Sequence, residues 1–266
     1  MQFGKQEKGG ITLIKPSFLP AVAVEFTPKD GDPNKEPVQF FRPYGALSPD
    51  ELEQGAKHND PGALQELGER YYFGIGGKPQ SDKLAYEYFL KAAEHNVQDA
   101  EYLIAECYRQ GRAVKQDYKK YFEWLDRAAQ HGSWMAMFGL SAAYRTGSAP
   151  YGGEGPEVNA EQSFSWSIET EQAVMAYWKF YTMPRFIDFD EILRILMQAY
   201  LRICVQLSEH FTEGFGTEQS FDRAIFWLER AKRFGIEATG NRDFNAVDPL
   251  IKRVKQRAAQ ESGQNN

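Results

Sequence analysis

The stretch Tyr71-Tyr72-Phe73-Gly74-Ile75-Gly76-Gly77 is where this chain comes nearest to recognisable chemistry. A glycine-rich loop that opens a helix brings backbone N–H groups to a pyrophosphate. That reading needs a strand before the loop and a third glycine at the fingerprint spacing, and the sequence offers neither. The other candidates are weaker. His95 and His131 fall at matching places near the ends of two similar segments, where a cation suits the helix dipole. Zinc requires ligands clustered at short spacing, which these two do not provide. His210-x-x-Glu213 lacks the second histidine of a zincin motif, and His58 beside Asn59 and Asp60 reads as loop. Asp30, Asp32 and Asn34 imitate the start of a calcium loop, but Lys35 stands where that loop demands glycine and Phe41 where it demands glutamate. A turn at Pro33-Asn34 explains them better. Asp188, Asp190 and Glu191 precede an apolar helical run and read as capping and dipole complementation. No G-x-S-x-G, C-x-x-C or H-E-x-x-H occurs. The expectation is therefore no catalytic residue, no metal and no cofactor.

The totals narrow the partner class. Of 266 residues, 42% are hydrophobic and 26% charged, an ordinary globular composition. A formal charge of -6 and a pI near 5.4 argue against nucleic acid, which needs a basic face to release counterions. The basic turn Lys252, Arg253, Lys255 and Arg257 reads as a solvated helix face. Cys107 and Cys204 sit in apolar helical patterns, as buried free thiols do, and give no disulfide framework. No apolar run approaches the ~20 residues of a membrane span. The segment 1–10 has no leader-like core, so the chain reads as cytoplasmic as it stands, or periplasmic if a leader has been trimmed.

The elements that position these residues repeat. Ala63, Leu67, Tyr71 and Gly74 return as Ala100, Ile104, Tyr108 and Gly111, then as Ala136, Leu140, Tyr144 and Gly147, and again as Ile203, Leu207, Phe211 and Gly214. The step is 37 residues from Ala63 to Ala100 and 36 from Ala100 to Ala136. Offsets 1, 5, 9 and 12 follow the helical period, so each unit opens with an amphipathic helix. Its glycine falls where a helix ends at positive φ, and a second helix begins near Asp82, Asp117 or Ser220. The glycine-rich stretch is then the turn between two helices. Each second helix carries two bulky apolar residues followed by a basic and a small one: Tyr88, Phe89, Lys91 and Ala92; Trp124, Leu125, Arg127 and Ala128; Trp227, Leu228, Arg230 and Ala231.

This unit, Ala-x3-Leu-Gly-x2-Tyr-x2-Gly-x-Gly followed by Asp, Lys-Ala, an aromatic pair and Lys-Ala-Ala, resembles the Sel1-like repeat, a relative of tetratricopeptide repeats. The first copy carries one extra turn residue, the second has Ala105 after its Ile, and the fourth has Phe211 for Tyr and Lys232 for Ala. The third departs most, with 67 residues from Ala136 to Ile203 and a loop-like segment at 147–159. Its second helix is either the segment 159–172 with Trp166, or the segment 169–183; the sequence leaves both open. Residues 186–200 read as the start of a long helix running into the fourth copy.

The resemblance implies an all-α, right-handed α/α solenoid of Sel1-like helix pairs with an irregular, partly extended N-terminal segment. Residues 1–58 form that segment and a capping helix, 59–238 the solenoid with an insertion around 148–187, and 239–266 a terminal helix and tail. Short β segments are expected at 11–14, 21–26 and 38–41. Ser48-Pro49-Asp50-Glu51 predicts a capping box opening a helix, and Asp248-Pro249 opens another.

For function, the resemblance implies a non-catalytic adaptor or scaffold that binds another protein, or alternatively an immunity-type inhibitor that neutralises a secreted effector enzyme such as a lipase; such chains are frequent in bacteria. Offsets 3, 7 and 10 point away from the neighbouring helix and stack along successive first helices. They hold Gln65, Glu69 and Tyr72, then Tyr102, Glu106 and Arg109, then Phe138, Ala142 and Arg145. Tyr and Arg are hot-spot types, and solenoids take partners on extended concave faces. Glu69, Tyr72, Tyr102, Glu106, Arg109, Phe138 and Arg145 are thus the candidate partner-binding residues. The competing reading packs Tyr102 and Phe138 against second helices or the N-terminal segment.

Overall fold

A computed structural model describes residues 21–26, 38–150, 152–182 and 190–264. It begins with an antiparallel pair, β1 (Ala21–Phe26) and β2 (Val38–Pro43), in register from Ala21 opposite Pro43 to Phe26 opposite Val38. The expected segments at 21–26 and 38–41 are strands. The segment at 11–14 and the calcium-like residues Asp30, Asp32 and Asn34 lie outside the described residues, as does Asp188.

Helix α1 (Pro49–Lys57) opens with the predicted box: Ser48 Oγ accepts from the Glu51 N–H, and Glu51 Oε2 accepts from the Ser48 N–H at 2.8 Å. Four helix pairs follow: α2 (Pro61–Phe73) with α3 (Asp82–Ala93), α4 (Gln98–Gln110) with α5 (Tyr118–Gln130), α6 (Trp134–Thr146) with α7 (Ala160–Tyr181), and α8 (Asp190–Glu213) with α9 (Phe221–Thr239). Helix α10 (Asp248–Gln264) lies against α9.

One clasp closes every pair. The first helix ends on a left-handed glycine, Gly74, Gly111, Gly147 or Gly214, with φ of 68, 70, 70 and 69°. Glycine alone adopts this region without a Cβ penalty. The chain then returns so that the N-cap of the second helix donates its backbone N–H to the carbonyl of the aromatic residue at offset 9. Ser81 meets Tyr71 at 2.8 Å, Asp117 meets Tyr108 at 3.0 Å, Asn159 meets Tyr144 at 2.9 Å and Ser220 meets Phe211 at 2.8 Å. Each of these caps also accepts from a backbone N–H three residues on, so an orphan donor of the new helix is satisfied. The glycine-rich stretch is a turn, as expected.

The third pair keeps this clasp and places its extra length elsewhere. Between Tyr144 and Asn159 the chain forms a small hairpin, β3 (Ser148–Ala149) with β4 (Gly153–Glu154). Gly153 sits so close to Tyr118 that an added Cβ would fall 2.1 Å from the ring. The two alternatives for the second helix prove to be one: α7 runs 22 residues through both. Helix α8, at 24 residues, is the long helix foreseen before the fourth copy.

In α3, α5 and α9 the basic residue lies over the aromatic residue three positions earlier, Lys91 over Tyr88 at 5.7 Å, Arg127 over Trp124 at 5.0 Å and Arg230 over Trp227 at 5.0 Å. Lys232, where the repeat has Ala, bonds both carboxylate oxygens of Asp248 at 2.8 Å and so ties α9 to the start of α10. Both cysteines are buried and free, and burial pushes each thiol up to about 12.

The core is uneven along the chain. A single apolar cluster runs from Val174 through Tyr200, Leu207 and Trp227 to Val254, joining α7 to α10. The earlier units divide theirs among separate clusters around Leu52 and Leu67, Phe89 and Ile104, and Leu125 and Leu140.

Candidate interaction surface

Helices α2, α4 and α6 carry the predicted stripe, and its members fall into different environments. Tyr72 is buried, at 4% exposure, with the Arg112 guanidinium 3.6 Å above its ring; Arg112 also donates to the Tyr72 carbonyl at 2.8 Å and to Asp82 at 2.9 Å. The Tyr72 ring thus supports the surface from beneath. Gln65 is buried as well. Tyr102 and Phe138 are half-buried: Tyr102 lies against the cluster around Leu125 and Leu140, and Phe138 against the large C-terminal cluster. Each combines internal packing with an exposed edge, so the two competing readings each hold in part for these rings.

The charged members are half-buried pairs. Arg109 donates to Glu106 from Nε at 2.8 Å and from Nη2 at 2.6 Å, a bidentate grip that holds the guanidinium in one orientation. Arg145 stands at the same offset one unit later, where offset 7 is Ala142 and supplies no carboxylate. It reaches into α8 instead, to Glu213 at 2.6 Å and Glu209 at 3.8 Å, with its guanidinium 5.2 Å over the Phe215 ring. Glu209 is the offset-7 residue of the fourth copy, so the third unit borrows the acidic partner of the next.

At the other end of the stripe, Gln65 Nε2 donates to Glu69 Oε1 at 2.9 Å. Asp99, at the start of α4, lies close to the same side chain. Burial raises Glu69 to about 7, with Glu66 and Asp99 adding to the rise, and raises Asp99 to about 6.

Sequence reasoning passed over three sites. Asp99 was hidden because its contact with Gln65 crosses from one unit to the next. Glu101 is fully buried, with Arg127 Nε at 2.6 Å and His131 Nδ1 at 2.6 Å, so His131 serves an ion pair between the helices of one unit. The third is a buried polar network. His210 donates from Nδ1 to the Phe215 carbonyl at 2.7 Å, which leaves Nε2 to accept from Ser167 at 3.2 Å. Gln206 donates to Ser141 Oγ at 2.6 Å and Ser167 Oγ at 3.2 Å, and Ser163 donates to the Ser141 carbonyl at 2.8 Å. Among the described residues His210 bonds no carboxylate, and it is fully buried, so this serine–histidine contact joins α6, α7 and α8 rather than presenting a nucleophile. Burial lowers the His210 pKa, so the ring is neutral in that network at pH 7.

Among the described residues no three His, Cys, Asp or Glu side chains converge as metal ligands, and no helix is long and apolar enough to cross a membrane.

Among solved structures, the chain is similar to a Sel1 repeat protein from Oxalobacter formigenes, at 18% identity over 80% of this chain and 99% of that one, with a TM-score of 0.42. It is also similar to c5321, a protective antigen of uropathogenic Escherichia coli strains displaying an SLR fold, at 20% identity over 80% of this chain and 48% of that one, with a TM-score of 0.42. A comparison with curated proteins finds no match. Sel1 repeat proteins are generally protein-interaction modules and generally non-catalytic. The Sel1 repeat model matches at residues 61–97, 98–133, 136–168 and 201–233, the stretches that carry the four glycine-and-cap clasps, and the chain belongs to the Sel1 repeat family.

Proposed function

We propose that this chain is a non-catalytic binding module that takes one protein partner along the outward stripe of α2, α4 and α6, through Glu69, Tyr102, Glu106, Arg109, Phe138 and Arg145, with Tyr72 supporting the surface from below. The observation that carries this reading is the state of Arg109. It is held bidentately by Glu106 and keeps about an eighth of its side chain exposed (13%), two helical turns from Tyr102 on the same face of α4. An arginine and an aromatic ring fixed in place lose little rotamer freedom on binding, which is how interface hot spots reach their strength.

The test uses the purified chain as bait in a lysate of its own source at moderate salt, beside a Tyr102→Ala/Arg109→Ala variant. Specific retention by the parent that the variant loses supports the proposal. Equal retention by both removes the stripe as the binding face. A single stoichiometric partner whose enzymatic activity falls on binding would make the module an inhibitor, whereas several partners from one signalling or envelope assembly would make it an adaptor.

A further inference from the structure

At the α2 end of the stripe the polar groups are out of balance. The Gln65 amide nitrogen donates to Glu69 at 2.9 Å, and Asp99 lies beside the same side chain. The carbonyl end of that amide, Oε1, has no hydrogen-bond partner among the described residues, although Gln65 is only 7% exposed. Buried carbonyl oxygens are normally paired. The charges that act on Glu69 are those of Glu66 and Asp99, both negative. Arg70, the nearest basic residue on α2, is taken up by Glu66 at 2.8 Å and by the carbonyls of Gly45 and Leu47, each at 3.2 Å. One amide nitrogen with two N–H donors therefore faces two carboxylates and an orphaned oxygen, more acceptor sites than it can serve. Glu69 and Asp99 both retain partial exposure as residues, so the cluster borders the surface. On the far side, Tyr177 and Tyr181 of α7 lie near enough to Asp99 for its charge to raise their hydroxyl pKa values, and the Gln98 amide fixes the Tyr177 hydroxyl at 3.1 Å.

We propose that Gln65, Glu69 and Asp99 form a receptor for one basic side chain, the ammonium of a lysine or the guanidinium of an arginine, presented by the protein partner. Such a group brings three to five N–H donors and a positive charge, which is what the three oxygen-bearing side chains lack. A calcium ion wants six to eight oxygens, more than these three side chains supply. The net charge of -6 would draw a basic segment toward the chain in the first place. Glu69, held near 7, and Asp99, held near 6, carry part of a proton between them at neutral pH, and an arriving cation would expel it. Glu66 is already paired with Arg70, and Tyr177 and Tyr181 titrate far above this range.

This inference rests on the stripe being the partner surface, and its test is separate. The full chain is titrated calorimetrically with an eight-residue oligolysine and an eight-residue oligoarginine, with oligoglutamate as control, at pH 7 in two buffers of different ionisation enthalpy. The expected result is binding of at least one basic peptide with net proton release. Affinity falls at least tenfold, and proton release disappears, in Glu69→Gln/Asp99→Asn with unchanged circular dichroism. No binding by the parent, equal affinity in parent and variant, or displacement of the peptide by millimolar calcium overturns the proposal. Partner capture by the parent alongside failed peptide binding would sink only this inference. Intact peptide binding alongside lost capture in Tyr102→Ala/Arg109→Ala would leave it standing.

Discussion

Arg145 of α6 meets Glu213 of α8 at 2.6 Å, 68 residues further along the chain. In the second unit the equivalent Arg109 finds its carboxylate three residues away, at Glu106. A single change at offset 7, glutamate to Ala142, thus converts a contact within a helix into one between units. The stripe is in this sense a set of arginines whose partners are chosen locally.

Replacing both Tyr102 and Arg109 by alanine is expected to weaken partner binding at least tenfold, about 1.4 kcal/mol, with helicity retained. Glu106 keeps its bond from Gln110 at 2.8 Å in that variant, so no carboxylate is stranded. Surface plasmon resonance against the captured partner, beside a far-ultraviolet spectrum, provides the check. Unchanged affinity removes the stripe from the binding face.

The turn glycines should differ sharply in tolerance. A Cβ on Gly216 would fall 2.0 Å from the Ala160 carbonyl oxygen, whereas one on Gly77 meets nothing within 4 Å; both have positive φ, 74° and 78°. Gly77→Ala is expected to cost about 1 kcal/mol from backbone strain alone. Gly216→Ala should cost about 2–4 kcal/mol, since backbone must shift as well. Urea unfolding of the two variants measures the difference, and equal midpoints would contradict the packing of this turn against the start of α7.

Ala113 occupies the position of Gly76 and Gly216 in its own unit, at φ 61°. An alanine there carries left-handed strain of about 1–2 kcal/mol, partly offset by the entropy a glycine would add to the unfolded chain. Ala113→Gly should therefore stabilise the protein by about 0.5–1 kcal/mol. A lower melting temperature in the variant would refute this.

Two sets of groups give stability opposite pH slopes. Glu69 and Asp99 have folded pKa values raised to about 7 and about 6, so the folded state binds protons more tightly than the unfolded one. Their contribution is fully present below pH 4 and is lost as pH rises through 6 and 7. His210 has a lowered folded pKa, so its contribution is present above its ordinary value near 6.5 and is lost as pH falls below that. Between pH 7 and 5 the slopes oppose each other. Glu69→Gln/Asp99→Asn should leave His210 alone and make stability fall as pH drops, by up to about 1 kcal/mol per pH unit. Denaturant melts at pH 7, 6 and 5 test this, and identical slopes in parent and variant would mean the carboxylates are not held as described.

The helix pairs were legible because each unit repeats two strong local signals, an apolar stripe and a glycine that only a left-handed turn requires. Gly74, Gly111, Gly147 and Gly214 carry both to within a few degrees. The second helix of the third unit was not legible for a physical reason. Ser163, Ser167 and Thr170 occupy buried positions in α7, so the apolar periodicity that marks an inner face is broken where the serines are satisfied by Ser141, Gln206 and His210 and the threonine by the Trp166 carbonyl. Offset counting put these residues on the first helices of the pairs but could not reveal their depth. Tyr72 is covered by Arg112, a residue 40 positions away, and Asp99 joins Gln65 from the next unit. Such contacts depend on how one pair is set against another.

The continuous apolar cluster from Val174 to Val254 also bears on how the molecule comes apart. In a solenoid of equal, separately packed units, nearest-neighbour coupling lets either end fray. Here α7 to α10 share one core, whereas the units before them hold theirs in separate pieces. Amide hydrogens of α8 and α9 should exchange together and late, and those of α1 to α3 earlier and piecemeal. The C-terminal half would thus be a rigid foundation, and the acidic α2 end of the stripe would sit in the part of the array most able to yield to what it binds.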